Sequence, residues 1–160
     1  MSQVSMTIKG LMLDPISNSP IVVLQDDDEK VFLPIWVGVF EANAIALQLE
    51  EVATPRPMTH DLLRNVLGEM KATVTKIVIS DLRDSTFYAL IHVTSHEALL
   101  EIDARPSDAI ALALRTGSPI LVEQSVLDQA QTISPEETSE TRLKKWFEDI
   151  SPDDLGKYKM

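Results

Sequence analysis

Short apolar runs broken by polar turns dominate the first part of the chain. Residues 3 to 14, 20 to 25 and 30 to 37 are rich in β-branched and large apolar side chains, and "PISNS" and "DDDEK" separate them. Such punctuation predicts three strands. A helix is predicted from 41 to 52, ended by "TPRP", because Pro55 and Pro57 hold the residues before them in extended geometry. Thr59 then reads as the cap of a second helix, in which Leu62, Leu63, Val66, Leu67 and Met70 fall on one apolar stripe.

The same succession follows again. Strands are predicted near 72 to 82, 86 to 93 and 97 to 104, with "LRDS" and "TSHE" as turns, and then a helix from Pro106 to about 116 with Gly117 as its cap. The alanine-rich run Ala109 to Leu114 has no polar face, so this helix should be covered on most sides. "PILV" is a further short strand, and Ser125 is placed to cap a brief helix. Ser134, Pro135 and Glu137 have the spacing of a helix start, and Leu143, Trp146, Phe147 and Ile150 form a stripe expected to pack on the core.

The chain also resembles itself. Residues 76 to 92, "KIVISDLRDSTFYALIH", lie over 9 to 25, "KGLMLDPISNSPIVVLQ", with Lys76 on Lys9 and Asp81 on Asp14. After a slip of two residues, "DAIAL" at 108 to 112 lies over "NAIAL" at 43 to 47. The expected fold is therefore α+β: two duplicated β-β-β-α units, about 9 to 52 and 76 to 116, in a mixed, strongly twisted sheet with packed helices and a C-terminal helix. One domain, 1 to 134, is expected, with 135 to 160 a helical extension packed on it.

Composition removes several chemistries. With no cysteine among 160 residues, disulfides, thiolate metal sites and cysteine nucleophiles are excluded. No apolar run reaches the length of a membrane span and no leader pattern opens the chain, so a cytoplasmic protein without membrane association is expected. Walker, dinucleotide-binding, GxSxG and HExxH motifs do not occur. A net charge of −11 sets a condition on any polyanion partner, which would need a local basic groove or bridging cations. The Lys and Arg residues before 134 form no run.

Candidate chemistry concentrates in "EIDARPSD". Along a strand, alternate residues share a face, so Glu101, Asp103 and Arg105 point together with the two carboxylates about 7 Å apart. That arrangement suits a bridged divalent cation with a phosphate held by Arg105, and equally a solvated strand surface with an ion pair. Asp108 falls in the first turn of the helix begun by Pro106, where it favours the helix dipole or joins the carboxylates. Of the three histidines, His60 reads as a helix-start residue and His92 as half-buried on a strand. His96, in a turn, is the one that could reach a site as general base. Asp26, Asp27, Asp28 and Glu29 read as a solvated hairpin tip.

At "FLPIWVGVFEANAIALQLE", "ARPSDAIALALR", "PILVEQSVLDQA" and the closing "DLGKYKM", nearly the whole chain resembles the bifunctional nuclease family. The resemblance implies DNA and RNA as substrates. The positions matching its motifs are Pro34, Gly38, Glu41, Ala42, Arg105, Pro106, Ser107, Asp108 and Ala109, several of which also have structural readings. The combined expectation is metal-assisted phosphodiester hydrolysis. Glu101, Asp103 and Asp108 would hold Mg²⁺ or Mn²⁺, Arg105 would stabilise phosphate charge, and Glu41 would face the second site across a pseudo-twofold axis. The alternative is a non-catalytic protein- or ligand-binding regulatory module on the same scaffold, and either is compatible with a homo-oligomer.

Overall fold

Seven apolar runs become seven strands of one mixed sheet in the computed structural model, which describes residues 2–130. They are β1 (Gln3–Leu13), β2 (Pro20–Asp26), β3 (Phe32–Trp36), β4 (Ala72–Arg83), β5 (Thr86–Ser95), β6 (Ala98–Ala104) and β7 (Ile120–Glu123). Among the described residues four helices accompany them: α1 (Val39–Leu49), α2 (Thr59–Glu69), α3 (Pro106–Thr116) and α4 (Gln124–Gln129). The fold is α+β, as expected. The predicted terminal helix and its stripe of Leu143, Trp146, Phe147 and Ile150 lie outside the described residues.

The strands lie in the order β3-β2-β1-β7-β4-β5-β6. Each half is an antiparallel three-strand meander followed by a helix, and β7 joins them, antiparallel to β1 and parallel to β4. Duplication is a separate claim that this order does not establish. Bulges interrupt β1 between Ile8 and Gly10 and β4 between Val74 and Lys76 and between Ile79 and Asp81. Each adds local twist.

Helix α3 is the centre of the core. Ala109, Ile110, Ala111, Leu112 and Ala113 are all buried, because α3 packs against α1 and α2 on one side and β4 and β5 on the other. Alanine lets these axes approach closely, and each large buried side chain such as Ile110 or Leu112 contributes about 1.5–3 kcal/mol. Gly117 ends the helix in the left-handed region, φ 68°, and the Ser118 N–H returns to the Ala113 carbonyl at 3.0 Å.

Three helix boundaries differ from the sequence reading. Thr59 is the first residue of α2 rather than its cap; Met58 caps it, donating its N–H to the Asp61 carboxylate at 3.0 Å. Ser125 lies inside α4, whose cap is Glu123. Helix α1 starts at Val39 because the extended backbone of Gly38 is its cap, and the chain leaves it through left-handed Glu51, φ 54°. Helix α2 has no buried residue: packed outside α3, it leaves Leu62, Val66 and Met70 exposed. Among the described residues no helix is long and apolar enough to cross a membrane.

One buried polar contact fixes the first meander. Asp14, fully buried at the turn after β1, accepts the Trp36 indole N–H at 3.0 Å and the Ile16 N–H at 2.8 Å. Burial pushes its carboxyl up, but the hydrogen bonds from Trp36, Ile16 and Ser17 outweigh it and hold the carboxyl below its ordinary value.

Candidate functional site

The first turns of three helices meet at one opening. Glu41 comes from α1, His60 from α2 and Asp108 from α3, and with Phe40, Asn43 and Met58 among their neighbours they line a cavity of about 340 Å³. Helix starts carry unpaired N–H groups and the positive end of the helix dipole, so their convergence favours negatively charged groups at this place.

Two polar pairs organise it. The His60 Nε2 lies 2.9 Å from Asp108 Oδ1, with the imidazole largely buried and the carboxylate half exposed. Arg105 Nη1 lies 3.4 Å from Glu41 Oε1, bringing the α3 cap residue to the α1 start. The second pair depends on Gly38. A Cβ there would collide with Glu41 Oε2 and stand 2.9 Å from its Cδ, so a glycine allows the carboxylate to fold back over the helix start.

A buried arginine holds the helices in this arrangement. Arg115 donates Nε to Asp61 at 2.8 Å, Nη1 to the Ala111 carbonyl and Nη2 to the Ala44 carbonyl, each at 2.9 Å. One side chain thereby ties α1, α2 and α3. The Met58 N–H and then the Arg115 guanidinium hold the Asp61 carboxyl below its ordinary value, against the opposing effect of burial. Because Asp61 directly follows His60, the clamp also sets where the imidazole stands.

Of the residues singled out from sequence, Glu41 and Asp108 line the opening, and Arg105 stands beside it through its contact with Glu41. Glu101 and Asp103 do not line the opening. They are exposed on the edge strand β6, where Glu101 pairs in register with His92 at 4.0 Å and Asp103 stands opposite Leu90. Among the described residues, no group of three or more His, Cys, Asp or Glu is placed to hold a metal ion. Glu101, Asp103 and Asp108 therefore do not fit a shared cation in this arrangement. His96 lies in the β5–β6 turn, φ 48°, at the end of β6 away from Arg105, about 20 Å along the strand.

His60 and Arg115 are what sequence reasoning missed. No local spacing links His60 to Asp108, since 48 positions separate them. The one available signal was polar residues at a predicted helix start, which a cap explains equally well.

Comparisons with known proteins agree with the sequence resemblance. The family model described as the bifunctional nuclease domain matches residues 22–135. An uncharacterized protein of Mycobacterium tuberculosis is 36% identical over 159 residues, covering 92% of this chain and 95% of its own. Bifunctional nuclease 1 of Oryza sativa subsp. indica is 24% identical over 71% of this chain and 35% of its own. Bifunctional nuclease 2 of Oryza sativa subsp. japonica is 26% identical over 79% of this chain and 41% of its own.

Proposed function

Since this chain belongs to the bifunctional nuclease domain family, we propose that it hydrolyses phosphodiester bonds of DNA and RNA at the opening between the starts of α1, α2 and α3. The observation that carries the reading is the His60–Asp108 pair at 2.9 Å in the wall of that opening. When Nε2 carries a proton donated to Asp108, Nδ1 has the lone pair that can take a proton from water. Asp108 orients the ring and stabilises the imidazolium that forms; the water oxygen bonds to phosphorus as the P–O bond to the departing sugar oxygen breaks, and that oxygen takes a proton from solvent while the imidazolium returns its own. A nuclease acting on DNA as well as RNA cannot rely on a 2′-hydroxyl, so the nucleophile is water.

Arg105, about half exposed, supplies charge for the phosphate oxygens as negative charge builds up, with Glu41 fixing its position. Phe40, 88% exposed at the same opening, offers a face on which a base can stack. Of the carboxylates expected to hold Mg²⁺ or Mn²⁺, Asp108 lines the opening while Glu101 and Asp103 lie on β6, so each step here is given to side chains at or beside the opening.

The test is cleavage of circular DNA and single-stranded RNA by rigorously nuclease-free protein, with EDTA, Mg²⁺ or Mn²⁺, beside His60→Gln and Asp103→Asn. His60→Gln should lower turnover by roughly 10²–10⁴, the ordinary range for a lost general base. Asp103→Asn should cleave as the unsubstituted protein does. Equal activity of His60→Gln sinks the proposed site, and absence of cleavage under every condition favours the non-catalytic binding module.

A further inference from the structure

Across the segment 55 to 58 from the candidate site lies a second opening, of about 370 Å³, with Thr54, Arg56, Asp61 and Arg64 in its wall. Arg56 and Arg64 are both exposed. The carboxylate lining it, Asp61, is already committed to Arg115 at 2.8 Å and to the Met58 N–H at 3.0 Å. Asp61 and the Arg115 guanidinium together carry no net charge, so although Asp61 also attracts Arg64, the positive charge of Arg56 and Arg64 remains in excess at this opening. Arg64 meets Asn65 Oδ1 through Nε and Nη2 at 3.3 Å each, beyond the usual range of N–H···O bonds and readily exchanged for a stronger acceptor.

Placement relative to the first opening gives this pair its meaning. His60 and Arg64 are four positions apart on α2, so they share a helix face one turn apart, about 6 Å along the axis. Met58 and His60 line the first opening, while Arg56, Asp61 and Arg64 line the second. In a chain of net charge −11, a polyanion gains affinity only where cations are locally concentrated. Guanidinium groups suit this task, because they bind phosphate oxygens in bidentate fashion.

We propose that Arg56 and Arg64 form a phosphate subsite, which takes a backbone phosphate of a nucleic-acid strand next to the phosphodiester held at His60. The proposal rests on the reading of the first opening as the place of hydrolysis. The strand then runs across the 55 to 58 segment, and the subsite contributes binding and register without touching the reacting atoms.

The experiment measures binding apart from cleavage, by fluorescence anisotropy of a labelled single-stranded oligonucleotide with phosphorothioate linkages across a salt series. The Arg56→Gln/Arg64→Gln variant should bind about tenfold more weakly at low salt. The slope of log affinity against log salt should shrink by about 1.4, two lost phosphate contacts at about 0.7 each. Arg56→Lys/Arg64→Lys, which keeps both charges, should retain the slope. Lys9→Gln/Lys30→Gln, an equal charge change elsewhere, should also leave it unaltered. Three results overturn the subsite: an unchanged slope in the double glutamine variant, an equal loss in the Lys9/Lys30 control, or no binding by the unsubstituted protein. His60→Gln cleavage is followed in parallel, so a failure of the hydrolytic reading appears there and not in the slopes.

Discussion

The imidazole of His60 and the carboxylate of Asp108 meet at 2.9 Å although 48 positions separate them in the chain. Asp108 occupies the first turn of α3, where a negative charge also favours the helix dipole. Asp108→Asn should therefore cost at most about 1 kcal/mol in stability. Cleavage should fall far more than this, since an amide can donate to the ring as well as accept from it, which leaves the tautomer unfixed, and it carries no charge to balance an imidazolium. Urea unfolding and cleavage measured on one preparation separate the two effects.

Asp103, exposed on an edge strand, should behave oppositely: Asp103→Asn should change stability by less than about 0.5 kcal/mol. Calorimetric Mn²⁺ titrations of the two proteins should coincide. Weaker Mn²⁺ binding by Asp103→Asn, together with loss of EDTA-sensitive cleavage, would restore a cation site on β6.

Gly38 has an ordinary backbone conformation, φ −75°, so alanine is tolerated there by the chain itself. The added Cβ meets the end of the flexible Glu41 side chain, which should swing away and release Arg105. Gly38→Ala should thus impair cleavage while leaving stability within about 1 kcal/mol. The same substitution made in a Glu41→Ala background should have little further effect, a double-mutant cycle that a direct role for Gly38 would not satisfy.

Arg115→Met leaves Asp61 without its partner and removes the tie between α1, α2 and α3. Because Asp61 is part-exposed and keeps the Met58 N–H, the cost should fall below the about 3–5 kcal/mol of a fully buried pair, yet remain measurable as a lower urea midpoint. Asp61→Asn, which keeps an acceptor for the guanidinium, should cost less.

Acid stability should depend on Asp14. Its carboxyl is held below the ordinary 3.8, so its contribution is complete above that pH and is lost as the pH falls through the lower folded value. Asp14→Asn should be less stable at neutral pH and show a shallower decline on acidification. Parallel acid limbs in urea midpoints measured against pH would contradict this.

Element identity was legible in the sequence where one periodicity dominated. Seven strands and the helices around residues 41, 59 and 106 followed from apolar runs and turn residues, and the unbroken run Ala109 to Leu114 announced a helix covered on most sides. The caps were less legible: Thr59 and Ser125 have the right chemistry for a cap, but backbone geometry gave that position to Met58 and Glu123. Side-chain preference is a local term, and the entry direction of the chain is set by what the helix packs against.

By itself the sequence determined the α+β class, the succession of elements and the family. Those properties are carried by local periodicity and short motifs. Only the tertiary structure decided that β7 enters between the two meanders, that Glu101 and Asp103 stay on an edge strand away from Glu41 and Asp108, that His60 meets Asp108, and that Arg115 ties three helices together. The physical reason is the same in each case. Contacts across 48 or more positions depend on how α1, α2 and α3 cross, and that is set by the joint packing of their side chains, which no single stretch of the chain contains.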